Sequence, residues 1–107
     1  MVTLALPAST FAATVVGTPA GERLVGTQDA DTITGKGGAD VIMALGGDDL
    51  VYGGLAPDSI RGGSGGDTIW GGGGPDALWG GAGWDVVFYG AKDVVSSDCE
   101  RKIKRAG

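Results

Sequence analysis

The sequence predicts an all-β fold, a coil of short parallel strands, and three observations predict it. Aspartates recur at every ninth residue: Asp31, Asp40, Asp49, Asp58, Asp67, Asp76 and Asp85. Each is followed two residues later by an aliphatic side chain and preceded by five by a glycine or alanine. Glycine supplies 23 of the 107 residues, which excludes helix over these units, because each glycine costs a helix about 1 kcal/mol relative to alanine.

Aligned on the acids, the units begin one period earlier at Glu22 and number eight, covering residues 17–88. The aliphatic column reads Leu24, Ile33, Ile42, Val51, Ile60, Ile69, Leu78 and Val87. The opening column reads Gly17, Gly26, Gly35, Ala44, Gly53, Gly62, Gly71 and Gly80. Within a unit, six glycine-rich residues can turn tightly, since glycine accepts positive φ and lets backbones approach closely. The last three place one aliphatic side chain between two outward positions, the alternation of a short strand with one buried face. Turn and strand repeated at a steady pitch wind into a coil of parallel strands. A disordered glycine-rich linker would leave the aliphatic column unexplained.

Composition narrows the chemistry. The net charge of −5 is uneven: residues 17–88 carry −7, whereas residues 89–107 carry +2. An acidic surface argues against nucleic acid or an anionic membrane as partner, and no apolar run approaches the roughly 20 residues of a membrane span. There is no histidine to activate Ser59, Ser64, Ser96 or Ser97, and the carboxylates are better read as ligands than as an acid/base pair. The expectation is therefore no enzyme and no catalytic residue. Cys99 is the one cysteine; it forms no internal disulfide and is read as a free thiol, a partner to another chain, or half of a pair whose mate is missing from this sequence.

The late units are the most regular. "GGSGGDTIW", "GGGGPDALW" and "GGAGWDVVF" fit the nonapeptide GGxGxDxUx, with U a large aliphatic, at every fixed position. "GKGGADVIM" lacks the second glycine, "GGLAPDSIR" has Ala56 at the fourth position, and "ALGGDDLVY" opens on Ala44 and Leu45. "GTPAGERLV" and "GTQDADTIT" keep only the first glycine. The region resembles the hemolysin-type calcium-binding repeat of RTX proteins. That resemblance implies a parallel β-roll, a right-handed β-helix-like solenoid of about eight nonapeptide units in two short parallel sheets. It also implies that two nonads make one coil and that calcium lies between turns of adjacent coils.

The residues argue for a cation on their own account. Carboxylates at one repeat position stack, and at the sheet spacing of about 4.8 Å two bare charges repel by roughly 0.9 kcal/mol in water and more where solvent is excluded. Calcium takes six to eight oxygens in flexible geometry and accepts carbonyls, whereas magnesium demands a tighter octahedron. Zinc and copper would want histidine or several cysteines. The expected metal ligands are Asp31, Asp40, Asp49, Asp58, Asp67, Asp76 and Asp85. With two nonads per coil, one edge carries Glu22, Asp40, Asp58 and Asp76 and the other Asp31, Asp49, Asp67 and Asp85, so at most about six ions are expected. The gaps Asp58/Asp76, Asp67/Asp85, Asp40/Asp58 and Asp49/Asp67 are the regular ones; the longer side chain of Glu22 should shift its oxygens. Asp29 and Asp48 stand off the column and are read as solvated loop residues.

The two ends fall outside the period. Residues 1–16 are a leader, either a truncated signal peptide with Thr10, Phe11 and Ala12 ahead of a cleavage point or an N-terminal cap. Residues 89–107 lose the repeat and are read as a C-terminal cap with a basic tail. Among the outward residues, Tyr52, Trp70 and Phe88 should share one sheet face, with Trp79 on the other. The function expected is calcium binding by a secreted module that is disordered without calcium and folds on binding it. Export suits the metal, since extracellular calcium modules work at roughly 10⁻⁴ to 10⁻³ M. The alternative is a calcium-switched interaction or adhesion module that uses its aromatic face, with a protein partner or self-association.

Overall fold

The computed structural model describes residues 2–4 and 14–104; the predicted leader segment around Thr10, Phe11 and Ala12 lies outside the described residues. Twelve short strands follow one another: β1 (Val2–Leu4), β2 (Thr14–Val16), β3 (Glu22–Val25), β4 (Thr32–Thr34), β5 (Val41–Met43) and β6 (Leu50–Tyr52). They continue as β7 (Ser59–Arg61), β8 (Thr68–Trp70), β9 (Ala77–Trp79), β10 (Val86–Tyr89), β11 (Val94–Val95) and β12 (Arg101–Lys104), which makes twelve among the described residues. Successive strands alternate between two sheets, β1-β3-β5-β7-β9-β11 and β12-β10-β8-β6-β4-β2, and every pairing is parallel. The chain is thus an all-β solenoid of about five turns, each closed by two units.

The nonad period sets the register. Ile42 pairs with Ile60 and Ile60 with Leu78 in one sheet, while Ile33 pairs with Val51 and Val51 with Ile69 in the other. With one inward residue per three-residue strand, the core is two facing columns: Leu24, Ile42, Ile60 and Leu78 against Val15, Ile33, Val51, Ile69 and Val87. All nine are buried. A core one side chain deep per sheet is thin for a small domain, so loop contacts matter.

Glycine has two separate roles in those loops. From the third unit onward, the second and fourth positions have left-handed backbone: Gly63, Gly65, Gly81 and Gly83 have φ between 90° and 100°. The same region is forced on Lys36, Leu45 and Ala56, with φ of 71°, 74° and 72°, where a Cβ is strained. The first position is different. No positive φ occurs there, yet a Cβ on Gly62 would lie 2.4 Å from Asp67 Oδ2 and 2.7 Å from the Gly80 carbonyl oxygen.

The outward aromatics fall as the alternation requires. Tyr52, Trp70 and Phe88 stand on β6, β8 and β10, stacked at centroid separations of 4.6 and 4.8 Å with nearly parallel rings. Trp79, on the opposite sheet, has the Arg61 guanidinium 5.0 Å above its ring. The two sheets also run past the eight units: β2 adds ahead of the first, and β11 and β12 continue beyond Phe88. No helix among the described residues is long and apolar enough to cross a membrane.

Candidate metal centre

Each column acid sits where a turn enters a strand, and its position follows from the repeat. The residue after each aspartate starts the strand, whereas Glu22 itself opens β3, and each of these side chains is turned inward. Glu22, Asp31, Asp40, Asp49, Asp58, Asp67, Asp76 and Asp85 are all buried, with 3% exposure at most. Burial of that many carboxylates requires compensation.

Half of it comes from the backbone. The N–H of Asp40 donates to Asp58 Oδ1 at 2.9 Å, that of Asp49 to Asp67 Oδ1 at 2.9 Å, that of Asp58 to Asp76 Oδ1 at 2.8 Å and that of Asp67 to Asp85 Oδ1 at 2.9 Å. Glu22 donates likewise to Asp40 and Asp31 to Asp49. These bonds run along the two predicted edges, so the acids are brought together as the two series read from the sequence.

The other oxygen is not satisfied. Oδ2 of Asp40, Asp49, Asp58, Asp67, Asp76 and Asp85 and Oε2 of Glu22 are buried and receive no hydrogen bond. Each aspartate Oδ2 except that of Asp49 faces the first-position glycine of its own unit: a Cβ there would lie 2.5 Å from Asp40 Oδ2 at Gly35, 2.7 Å from Asp58 Oδ2 at Gly53 and 2.5 Å from Asp85 Oδ2 at Gly80. Gly35, Gly53 and Gly62 also abut a carbonyl oxygen of the next coil, that of Gly53, Gly71 and Gly80 respectively. The result is a repeated cradle: one bare carboxylate oxygen, one carbonyl oxygen and the room that a side chain would fill. At Asp49 the first position is Ala44, whose methyl is itself buried.

Burial raises the carboxyls of Asp49, Asp58, Asp67 and Asp76 well above the ordinary aspartate range, with the neighbouring coil's N–H opposing it and adjacent carboxylates adding to it. Asp49 is pushed to about 8, and Asp58, Asp67 and Asp76 to about 7. Asp40 and Asp85 are raised for the same first cause. An orphaned buried oxygen in this state needs a proton or a cation.

The first two units are built differently. Thr27 donates its N–H to Asp31 Oδ2 at 2.6 Å and its hydroxyl to Asp31 Oδ1 at 2.7 Å, and the N–H of Thr18 donates to Glu22 Oε1. In these units the second position lacks positive φ, and its N–H turns into the carboxylate. Asp31 is therefore in the column with donors already on both oxygens. Glu22 places its oxygens differently from the later aspartates: the one facing Gly17, 2.7 Å from a Cβ there, is Oε1, which already accepts the Thr18 N–H, and Oε2 is the one left bare. Asp48 is exposed and accepts the Gly66 N–H at 2.8 Å, as a loop residue should. Asp29 departs from that reading, since it is half-buried and its Oδ2 is enclosed without a hydrogen bond.

Sequence reasoning missed two acids. Asp93 Oδ1 accepts the Asp76 N–H at 2.8 Å, and Glu100 Oε1 accepts the Asp85 N–H at 2.9 Å. The signal was an acid directly before a strand, hidden because the spacing falls to 17 and 15 residues. Among the described residues no three His, Cys, Asp or Glu side chains are placed to hold a metal by themselves, so an ion here would need backbone carbonyls beside two carboxylates. The donor set is all oxygen, which suits calcium and not a softer metal.

A family model described as RTX calcium-binding nonapeptide repeat (4 copies) matches residues 25–60 and 61–91. No curated protein and no solved structure matches the chain.

Proposed function

The chain belongs to the RTX calcium-binding nonapeptide repeat family, and from that premise we propose that its column acids hold calcium between successive coils in a secreted module that folds when calcium binds. The family is one of structural calcium-binding repeats rather than of enzymes. One observation carries the assignment of ligands: the second oxygen of Asp40, Asp49, Asp58, Asp67, Asp76 and Asp85 is buried without a hydrogen bond. Asp31 belongs to the same series by position, with Thr27 as a competing donor.

Calcium supplies divalent charge and a flexible demand for oxygen ligands. The chain supplies the rest. Backbone N–H groups fix one oxygen of each acid and so aim the other, glycine leaves room and brings a carbonyl close, and the aliphatic columns hold the coils in register. Deprotonated carboxylates are needed, and metal-free they repel along each edge. That balance supports coupled folding, because the thin core alone must otherwise offset both the repulsion and the ordering of a glycine-rich chain. An extracellular setting supplies calcium at the level such modules use.

Far-UV circular dichroism tests the reading. We expect a sheet signal to appear on calcium titration and to vanish on adding chelator; a sheet spectrum indifferent to both sinks the coupling. The alternative is an interaction module using its aromatic face, on which Trp70 is stacked between Tyr52 and Phe88 and Tyr52 is exposed.

A further inference from the structure

The nonad motif ends at Phe88, but the column of acids does not. The chain makes one more turn on each edge: β11 pairs with β9, with Val94 opposite Ala77, and β12 pairs with β10, with Arg101 opposite Val86. Asp93 and Glu100 stand directly before those strands, as Asp76 and Asp85 stand before theirs. Each repeats the backbone bond of the column, taking the N–H of the acid one coil earlier.

What lies between them is a prepared gap. Asp76 is 2% exposed and Asp85 fully buried, and Oδ2 of each receives no hydrogen bond. At the earlier cradles of this edge the first-position glycine meets a glycine carbonyl from the next coil. At Gly71 the place is taken by a carboxylate: a Cβ there would lie 2.7 Å from Asp76 Oδ2 and 3.2 Å from Asp93 Oδ2. Asp93 Oδ2 also accepts the Gly90 N–H at 2.6 Å, which leaves it a lone pair. Two carboxylate oxygens converging on one cradle, one of them buried and bare, are unfavourable unless a cation joins them.

We propose that Asp93 and Glu100 are calcium ligands, so that the metal series runs one step past the repeat motif on each edge, between Asp76 and Asp93 and between Asp85 and Glu100. The proposal rests on the calcium reading of the nonads. It raises the number of inter-coil gaps from three to four on each edge. The tail then has a specific role, because an ion closes the last coil in addition to strand pairing.

Crystals of the full chain grown with calcium test it directly. The expected result is anomalous density beside Asp76 Oδ2 and Asp93, and beside Asp85 Oδ2 and Glu100, in addition to the nonad gaps. Density at the nonad gaps with none at the cap overturns this inference alone; none at any gap overturns the calcium reading itself. Calorimetry supplies the second arm. Asp93→Asn keeps an oxygen for the Asp76 N–H and should bind one calcium fewer than the parent chain, as should Glu100→Gln. An unchanged count in both Asp93→Asn and Glu100→Gln, folded in saturating calcium, counts against the proposal.

Discussion

The backbone N–H of Asp49 donates to Oδ1 of Asp67 at 2.9 Å, while Oδ2 of Asp67 is buried and receives nothing. One carboxylate thus has two roles: one oxygen locks the coils in register and the other is left for a ligand. Asp67→Asn separates them, because the amide oxygen can still accept the Asp49 N–H while the charge is gone. Calorimetry should show calcium affinity falling about 10- to 100-fold at the gaps touching Asp67, the range of a charged hydrogen-bonding partner worth about 1.5–3 kcal/mol. Affinity within twofold of the parent would rule out Asp67 as a ligand.

Acid should favour the metal-free fold. Asp49, Asp58, Asp67 and Asp76 titrate higher folded than unfolded, so their contribution to stability is present in full below about pH 4 and is lost as pH rises through about 7 to 8, where Asp58, Asp67, Asp76 and then Asp49 ionise. Calcium binding runs the other way, since the proton must leave first. Circular dichroism in chelator from pH 4 to 9 should show sheet content falling across that window. In calcium the dependence should weaken or invert; a metal-free fold that strengthens with pH contradicts the buried-carboxylate account.

Glycines that look alike in the sequence should respond differently to alanine. Gly65 has φ of 96°, and a Cβ there would lie 2.3 Å from the Gly47 carbonyl oxygen. Gly73 has no positive φ, and its Cβ would meet only the Leu55 side chain at 3.3 Å. Gly65→Ala should cost about 1–3 kcal/mol or more, and Gly73→Ala should stay within about 0.5 kcal/mol. Thermal unfolding in saturating calcium measures both; equal effects would refute the division of glycine roles.

The aromatic ladder should stabilise the sheet from outside. Trp70 stacks on both Tyr52 and Phe88, and each such pair is worth about 0.5–1.5 kcal/mol beyond burial. Trp70→Ala should therefore lose roughly 1–3 kcal/mol of unfolding free energy. Trp84, 67% exposed, should tolerate alanine with little change. If Trp84→Ala is the more damaging, the ladder is not what steadies this face.

The eight inward aliphatics from Leu24 to Val87 were legible in the sequence, because a period of nine with one aliphatic residue per strand leaves only one way to fill the core; Val15 and Cys99, outside the period, were not. The same regularity assigned Asp58/Asp76 and Asp67/Asp85 to opposite edges and Trp70 and Trp79 to opposite sheets. Thr27 was harder to read. Its hydroxyl becomes a donor to Asp31 only because the second position of that unit is not left-handed, and a threonine in a turn announces neither fact.

By itself, then, the sequence determined the winding, the two aliphatic columns and the acid series, since these follow from local alternation and spacing. Only the tertiary structure decided which oxygen of each acid is bare, and which glycines serve conformation and which serve close approach. It also decided that Asp93 and Glu100 join the column. Those outcomes depend on contacts with the next coil: once the spacing slips to 17 and 15 residues, strand pairing restores the alignment that the period no longer marks.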